Sequence, residues 1–179
     1  MALKATIYKA ELQVADMDRH YYHTHGVTIA QHPSETEARM MLRMLAFALH
    51  ADEQLSFTKG LSTDEEPDLW SRNLADEVQL WVEVGLPDER RIRRASHRAA
   101  KVVVYAYGGR GAQIWWDQLH NKVTRFENTQ ILFVPDASVQ ALAEFVQRSM
   151  RLQVNIQDGQ VWVSDQERST QIELETWKA

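Results

Sequence analysis

The chain contains no cysteine. That absence removes disulfides, thiolate zinc sites and cysteine nucleophiles together, and it suits a reducing compartment. Long apolar runs are missing as well: no window approaches the roughly 18 to 20 residues that a membrane span requires. Met1-Ala2-Leu3-Lys4-Ala5 is followed by no signal-like apolar core, so cytoplasmic residence is the expectation. Nor is there a surplus of positive charge. The formal net charge of -5 argues against coating nucleic acid through bulk charge and leaves only a local basic patch open. No internal repeat, low-complexity tract or linker composition interrupts the 179 residues. One mixed α/β domain spanning residues 1–179 is therefore expected, long enough to bury a substantial core.

What is present begins with strands. Residues 5–14 alternate well in their second half, and residues 21–30 are rich in aromatic and β-branched side chains. The Asp16-Met17-Asp18-Arg19 link suits a hairpin at the edge of a sheet. His20, His23 and His25 invite a metal reading, because strand positions two apart share a face. No carboxylate or fourth ligand accompanies them, so exposed strand histidines are the better reading. Pro33-Ser34-Glu35-Thr36-Glu37 then forms a capping box, with Ser34 as N-cap and Glu37 at N3. Met41, Leu42, Leu45, Ala48 and Leu49 recur at helical spacing up to about Ala51. Glu35 falls in the first turn, where the helix dipole favours an anion. A second role for it requires another acidic residue opposite.

The stretch from Glu66 to Arg98 organises the rest. Leu55-Ser56-Phe57-Thr58 is a short strand candidate, and residues 60–67 form an acidic loop with Asp64, Glu65 and Glu66 that ends at Pro67-Asp68. Gln79-Leu80-Trp81-Val82-Glu83-Val84-Gly85 reads as a strand carrying a carboxylate in its middle. An ionised side chain inside a sheet is costly unless a charge or a metal meets it. After the Leu86-Pro87 corner, Asp88 can cap a helix reaching about Ala100, and Lys101-Val102-Val103-Val104-Tyr105-Ala106-Tyr107 reads as a buried strand. Such a strand-helix-strand unit joins parallel strands by a right-handed crossover. At about 100° per residue, Ile92, Ala95 and Ala99 face the sheet while Arg90, Arg93, Arg94 and His97 point away. Arg91 and Arg98 fall on a flank of the apolar stripe, and Arg91 is best placed to reach the end of Glu83's strand. The outward arginines read as a solvated face with charge pairing one turn apart, in preference to a phosphate-contacting surface.

Gly108-Gly109-Arg110-Gly111 reads as a loop without the spacing of a Walker or dinucleotide motif. Residues 112–119 look helical and carry Gln113, Trp115 and Trp116, the tryptophans reading as core more than as a stacking platform. Residues 129–134 form another buried strand, and Pro135-Asp136 leads into an amphipathic helix with Val139, Leu142, Phe145 and Val146. Residues 152–163 predict a hairpin about Asp158-Gly159, and residues 172–177 a last strand.

Several strings carry a family resemblance. The opening Met1-Ala2-Leu3-Lys4-Ala5-Thr6-Ile7-Tyr8-Lys9-Ala10, His32-Pro33-Ser34-Glu35-Thr36, Leu80-Trp81-Val82-Glu83-Val84-Gly85-Leu86-Pro87-Asp88-Glu89-Arg90-Arg91, Ala112-Gln113-Ile114-Trp115-Trp116 and Ile156-Gln157-Asp158-Gly159 resemble the YaeQ family of bacterial proteins. The resemblance runs from the first residue to the last strand. It implies a single mixed β-sheet flanked by helices, a restriction-endonuclease-like variant of the PD-(D/E)xK fold. The nuclease-like core would span about 34–135, with the N-terminal hairpin and C-terminal strands added.

In that superfamily a helix carboxylate, an Asp at a Pro-Asp pair and an acidic residue two before a Lys converge around magnesium. Phosphodiester hydrolysis needs a hard cation on oxygen ligands to neutralise developing charge and to lower the pKa of the attacking water. Pro67-Asp68 matches the first strand motif, Glu83 the second, and Glu35 the helix carboxylate, so these three are the expected Mg2+ ligands. The match breaks at Gly85, which stands where the lysine belongs. Arg91 is the expected replacement on the wheel argument, with Lys101 a second candidate; arginine can stabilise charge but cannot act as a base. Gln113 could line the same pocket. Two functions follow from the resemblance: a metal-dependent phosphodiesterase acting on DNA or RNA, or a non-catalytic nucleic-acid- or protein-binding regulatory module on a degenerate nuclease scaffold. A serine hydrolase is disfavoured, because Ser34 is accounted for by capping and no Gly-x-Ser-x-Gly elbow occurs.

Overall fold

Alternation of buried and exposed side chains is regular along the first strand, β1 (Thr6–Asp16), where Tyr8, Ala10, Leu12, Val14 and Asp16 point inward. The computed structural model describes residues 4–58 and 65–179, so Met1 to Leu3 and part of the acidic loop, including Gly60 and Asp64, lie outside the described residues. The chain divides into two compact units. The first comprises Met1–Ala51 and Ala137–Glu173, the second Asp52–Asp136 and Leu174–Ala179.

In the first unit, β1 pairs antiparallel with β2 (Tyr21–Gln31), as the hairpin signal requires. The far side of β1 is not an edge: it pairs parallel with β8 (Ser149–Gln157), which continues through β9 (Gln160–Ser164) to β10 (Ser169–Ile172). Only β2 and β10 are edges of this five-stranded sheet. Asp158 and Gly159 form the β8–β9 turn with φ of 52° and 74°, the left-handed pair that tight hairpins use. Helix α1 (Glu37–Leu49) presents Met40, Met41, Leu42, Leu45 and Ala48 as buried residues. Its N-cap is Thr36, whose hydroxyl accepts from the Arg39 amide, and not Ser34, which bonds instead to His32 Nδ1 at 2.7 Å. Glu35 thus precedes the helix and does not sit in its first turn. Helix α4 (Asp136–Ala143) starts as expected after Pro135 and stops before Phe145, which stays buried.

The second unit is a six-stranded mixed sheet in the order β11-β7-β6-β5-β4-β3. Its members are β3 (Leu55–Phe57), β4 (Leu69–Arg72), β5 (Val78–Val84), β6 (Ala99–Ala106), β7 (Thr129–Phe133) and β11 (Glu175–Lys178). Strands β5, β6 and β7 run parallel and are joined by α2 (Glu89–Arg98) and α3 (Gly109–Val123). A single sheet was expected and two mixed sheets are found. The expected last strand is likewise two strands, β10 in the first unit and β11 in the second, because Glu173 and Leu174 carry the chain between them. Gly109 to Gly111 is helical and not loop. Trp81, Ile92, Ala95, Val102, Val104, Leu119 and Ile131 form a buried cluster between sheet and helices. Trp115 and Trp116 pack against it, and Trp116 stacks on Trp177. Among the described residues, no helix is long and apolar enough to cross a membrane.

Candidate functional site

Strand β5 turns Trp81 and Glu83 to one face, the face that α2 covers with Ile92 and Ala95. Glu83 is only 6% exposed. The indole Nε1 of Trp81 donates to Glu83 Oε1 at 2.9 Å, and Arg91 Nε donates to the same oxygen at 2.7 Å. Oε2 accepts no hydrogen bond from a described residue. Arg91 gets there because Asp88 caps α2, its side chain accepting from the Arg91 amide at 2.8 Å, which fixes the rotation of the helix. The second guanidinium nitrogen of Arg91 donates to the Glu66 carbonyl at 2.8 Å, and Arg98 donates to the Glu65 carbonyl at 2.7 Å. One helix therefore grips both the carboxylate and the end of the acidic loop.

Asp68 arrives from the other side. Leu69 pairs with Val82, so the antiparallel register carried one step further sets Asp68 opposite Glu83. The Asp68 amide donates to Val82 O at 3.0 Å, and Asp68 Oδ2 accepts from the Val84 amide at 2.8 Å. The Thr58 hydroxyl donates to the Pro67 carbonyl and holds the corner in place. Two buried carboxylates directly across a strand pair repel each other. Burial, and after it the Asp68 charge, pushes the Glu83 carboxyl up to about 7, with Arg91 and the Trp81 hydrogen bond offsetting part of the rise.

Gly85, where the motif lysine would stand, has a φ of 127°. Nothing lies within 4 Å of a Cβ placed there, so the backbone conformation and not space favours glycine. A lysine at 85 would strain this turn, whose amide donates to Tyr105 O at 2.9 Å. Lys101 does not replace it: it pairs with Leu80, and strand periodicity puts it on the face opposite Glu83 and Val104.

The other two expected site residues have different partners. Gln113 is exposed and donates to Asp117 Oδ1 at 2.9 Å, one turn along α3. Glu35 belongs to the first unit, where Arg43 Nη2 meets Oε1 at 2.6 Å, and Arg43 Nε and Arg39 Nη1 meet Oε2 at 2.9 and 2.5 Å. Arg43 also donates to Ala30 O at 2.7 Å, tying α1 to β2. The signal for this was the spacing Glu35, Arg39, Arg43, successive steps of one helical turn. His23 and His25 do share a face of β2, but Tyr21 stacks beside them and its hydroxyl bonds His25 Nε2 at 2.6 Å. Among the described residues, no group of three or more His, Asp or Glu side chains is gathered to hold a metal.

Comparison with known proteins agrees with the strings quoted above. The family model described as YaeQ protein matches residues 1–174. A Salmonella typhi protein named "Uncharacterized protein YaeQ" is 49% identical over 99% of this chain and 98% of its own length. Its Escherichia coli K12 namesake is 47% identical over the same shares. The crystal structure of a YaeQ protein from Xanthomonas axonopodis pv. citri superposes with a TM-score of 0.94 at 44% identity, covering 98% of this chain and 99% of that one. The crystal structure of a YaeQ protein from Pseudomonas syringae gives 0.93 at 37%, covering 98% and 97%. With the whole length matched in sequence and in backbone, the chain belongs to the YaeQ family.

Proposed function

We propose that Asp68 and Glu83 are the cation-binding pair of a metal-dependent phosphodiesterase acting on nucleic acid, built on a restriction-endonuclease-like variant of the PD-(D/E)xK fold. The observation that carries this reading is the cross-strand carboxylate pair, buried at 3% and 6% exposure, with Arg91 as the cation that a hydrogen bond sets against Glu83. A fold gains nothing from setting two buried carboxylates against each other, so their juxtaposition points to a ligand. The donor set fits Mg2+: both residues offer hard oxygen, Glu83 Oε2 has no donor among the described residues, and magnesium is commonly held by one or two carboxylates with water. Bound there, the cation would supply Lewis-acid charge and lower the pKa of its water. Trp81 and Arg91 orient Glu83, and Arg91 offsets charge in place of the lysine. Glu35 and Gln113 take no part in this reading.

The second reading is a non-catalytic nucleic-acid- or protein-binding module. It is favoured by one feature, the backbone of Gly85, which would strain against the motif lysine. Calorimetric titration with Mg2+ and Mn2+, beside cleavage assays on single- and double-stranded DNA and RNA, separates the two. Hydrolysis abolished in Glu83→Ala and Asp68→Asn supports the enzyme. Absence of both metal uptake and mutant-sensitive cleavage leaves the binding module.

A further inference from the structure

Helix α2 carries more positive charge than its fold accounts for. Of its ten residues five are arginine, and Arg90, Arg93 and Arg94 are exposed together with His97. At about 100° per residue these four lie within an arc of about 100°, opposite the buried Ile92 and Ala95. Charge pairing along the helix would excuse such a face, and only one such pair exists, Glu89 with Arg93. The remaining one-turn neighbours are like-charged: Arg90 lies four residues before Arg94, and Arg94 four before Arg98. Such pairs weaken a helix, as do cations at its N-terminal turn, where Arg90 sits. Arg90 and Arg94 make no ion pair or side-chain hydrogen bond with a described residue.

A fifth basic group completes the surface. Arg125, after α3, shares Glu89 with Arg93 at 3.1 and 3.5 Å and lays its guanidinium 4.9 Å from the Phe126 ring centroid. Arg93, His97, Arg125 and Phe126 line a cavity of about 390 Å3. Glu89 thus holds two guanidinium forks at one cavity mouth, while four arginines outnumber this one carboxylate in a chain whose net charge is -5. Guanidinium forks match phosphate oxygens in two-point contact, and fixing them beforehand reduces the entropy lost on binding.

We infer that the outward face of α2 with Arg125 binds the phosphodiester backbone of a nucleic-acid strand, the cavity at Arg93, His97 and Arg125 taking one phosphate. From Arg90 to His97 the face extends about 10 Å along the helix, enough to meet more than one phosphate of a strand. The choice of nucleic acid over another polyanion rests on the reading of Asp68 and Glu83, of which the same helix grips Glu83 through Arg91; the basic surface itself does not depend on that reading.

The test is fluorescence anisotropy of short labelled single-stranded and duplex oligonucleotides with the full chain in EDTA, across a salt series. Arg90→Ala/Arg94→Ala and Arg93→Ala/Arg125→Ala should each weaken binding at least about tenfold. Each should also flatten the slope of log Kd against log salt by about 1.4 to 1.8, the value of two lost phosphate contacts. Arg151→Ala, on the exposed face of the first unit's sheet, should change neither. Circular dichroism checks that the variants fold. Unchanged affinity and slope in both double variants would overturn the inference. So would displacement of the oligonucleotide by polyglutamate at matched charge, which would assign the face to an acidic protein. Because metal uptake is measured without nucleic acid and this binding without metal, either result can fail alone.

Discussion

Glu35 and Glu83 are equally buried, each 6% exposed, and the molecule treats them in opposite ways. Glu35 has both oxygens filled by two arginines, one of them itself 4% exposed, so its charge is met within the fold. Glu83 has one arginine, one indole donor on the same oxygen and a second carboxylate across the strand. Burial of a carboxylate is therefore no guide to function. The local balance of charge is, because a surplus of negative charge inside a protein is kept at a cost that the fold does not require.

The contrast can be tested most severely at Glu35. Arg43→Ala leaves that carboxylate buried with only Arg39 and should cost about 3 to 5 kcal/mol in urea denaturation. A loss below about 1 kcal/mol would mean that the triad is no staple. At Glu83 the sign is reversed. Its folded pKa of about 7 lies above the reference value of 4.5, so the folded state holds the proton more tightly than the unfolded chain. The stability it contributes is fully present below about pH 4.5 and lost as pH rises through about 7. In EDTA, Glu83→Gln should accordingly stabilise the protein above pH 7 by up to about 3 kcal/mol and make no difference near pH 4. Parallel stability–pH curves for the two proteins would remove the claim of surplus charge.

Restoring the motif lysine is a third measure. Gly85→Lys should cost about 1 to 2 kcal/mol, because the position is held at a positive φ, and should not raise metal-dependent cleavage. A gain in cleavage would show that the turn can relax and that Arg91 is no substitute. The smallest effect concerns the cap beside Glu35. Thr36→Ala should cost about 1 kcal/mol by thermal unfolding and Ser34→Ala a few tenths, the reverse of what the capping-box pattern suggests.

That last pair shows where local pattern ran out. Ser34 and Thr36 both precede a helix with a suitable side chain, and the choice between them depends on where β2 delivers the chain, which no local spacing encodes. Arg91 was legible because a ten-residue helix with a strong cap and an apolar stripe has only one rotation that buries Ile92 and Ala95. The strand around Glu83 and the turn at Asp158-Gly159 were legible for the same reason, period and turn chemistry acting over a few residues. The capping-box pattern at Ser34 puts Glu35 inside the helix, and nothing in that pattern points to Arg39 and Arg43 as its partners.

By itself the sequence determined most of the elements, the family resemblance and the placing of Arg91 toward the end of Glu83's strand, all consequences of short-range periodicity, capping and long shared strings. Only the tertiary structure decided that there are two sheets, since strand partners such as β1 and β8 lie far apart in the chain and nothing local distinguishes them. It also decided that Glu35 is neutralised in the first unit while Asp68 and Glu83 face each other in the second, because charge balance in a buried site depends on which side chains long-range pairing brings within reach.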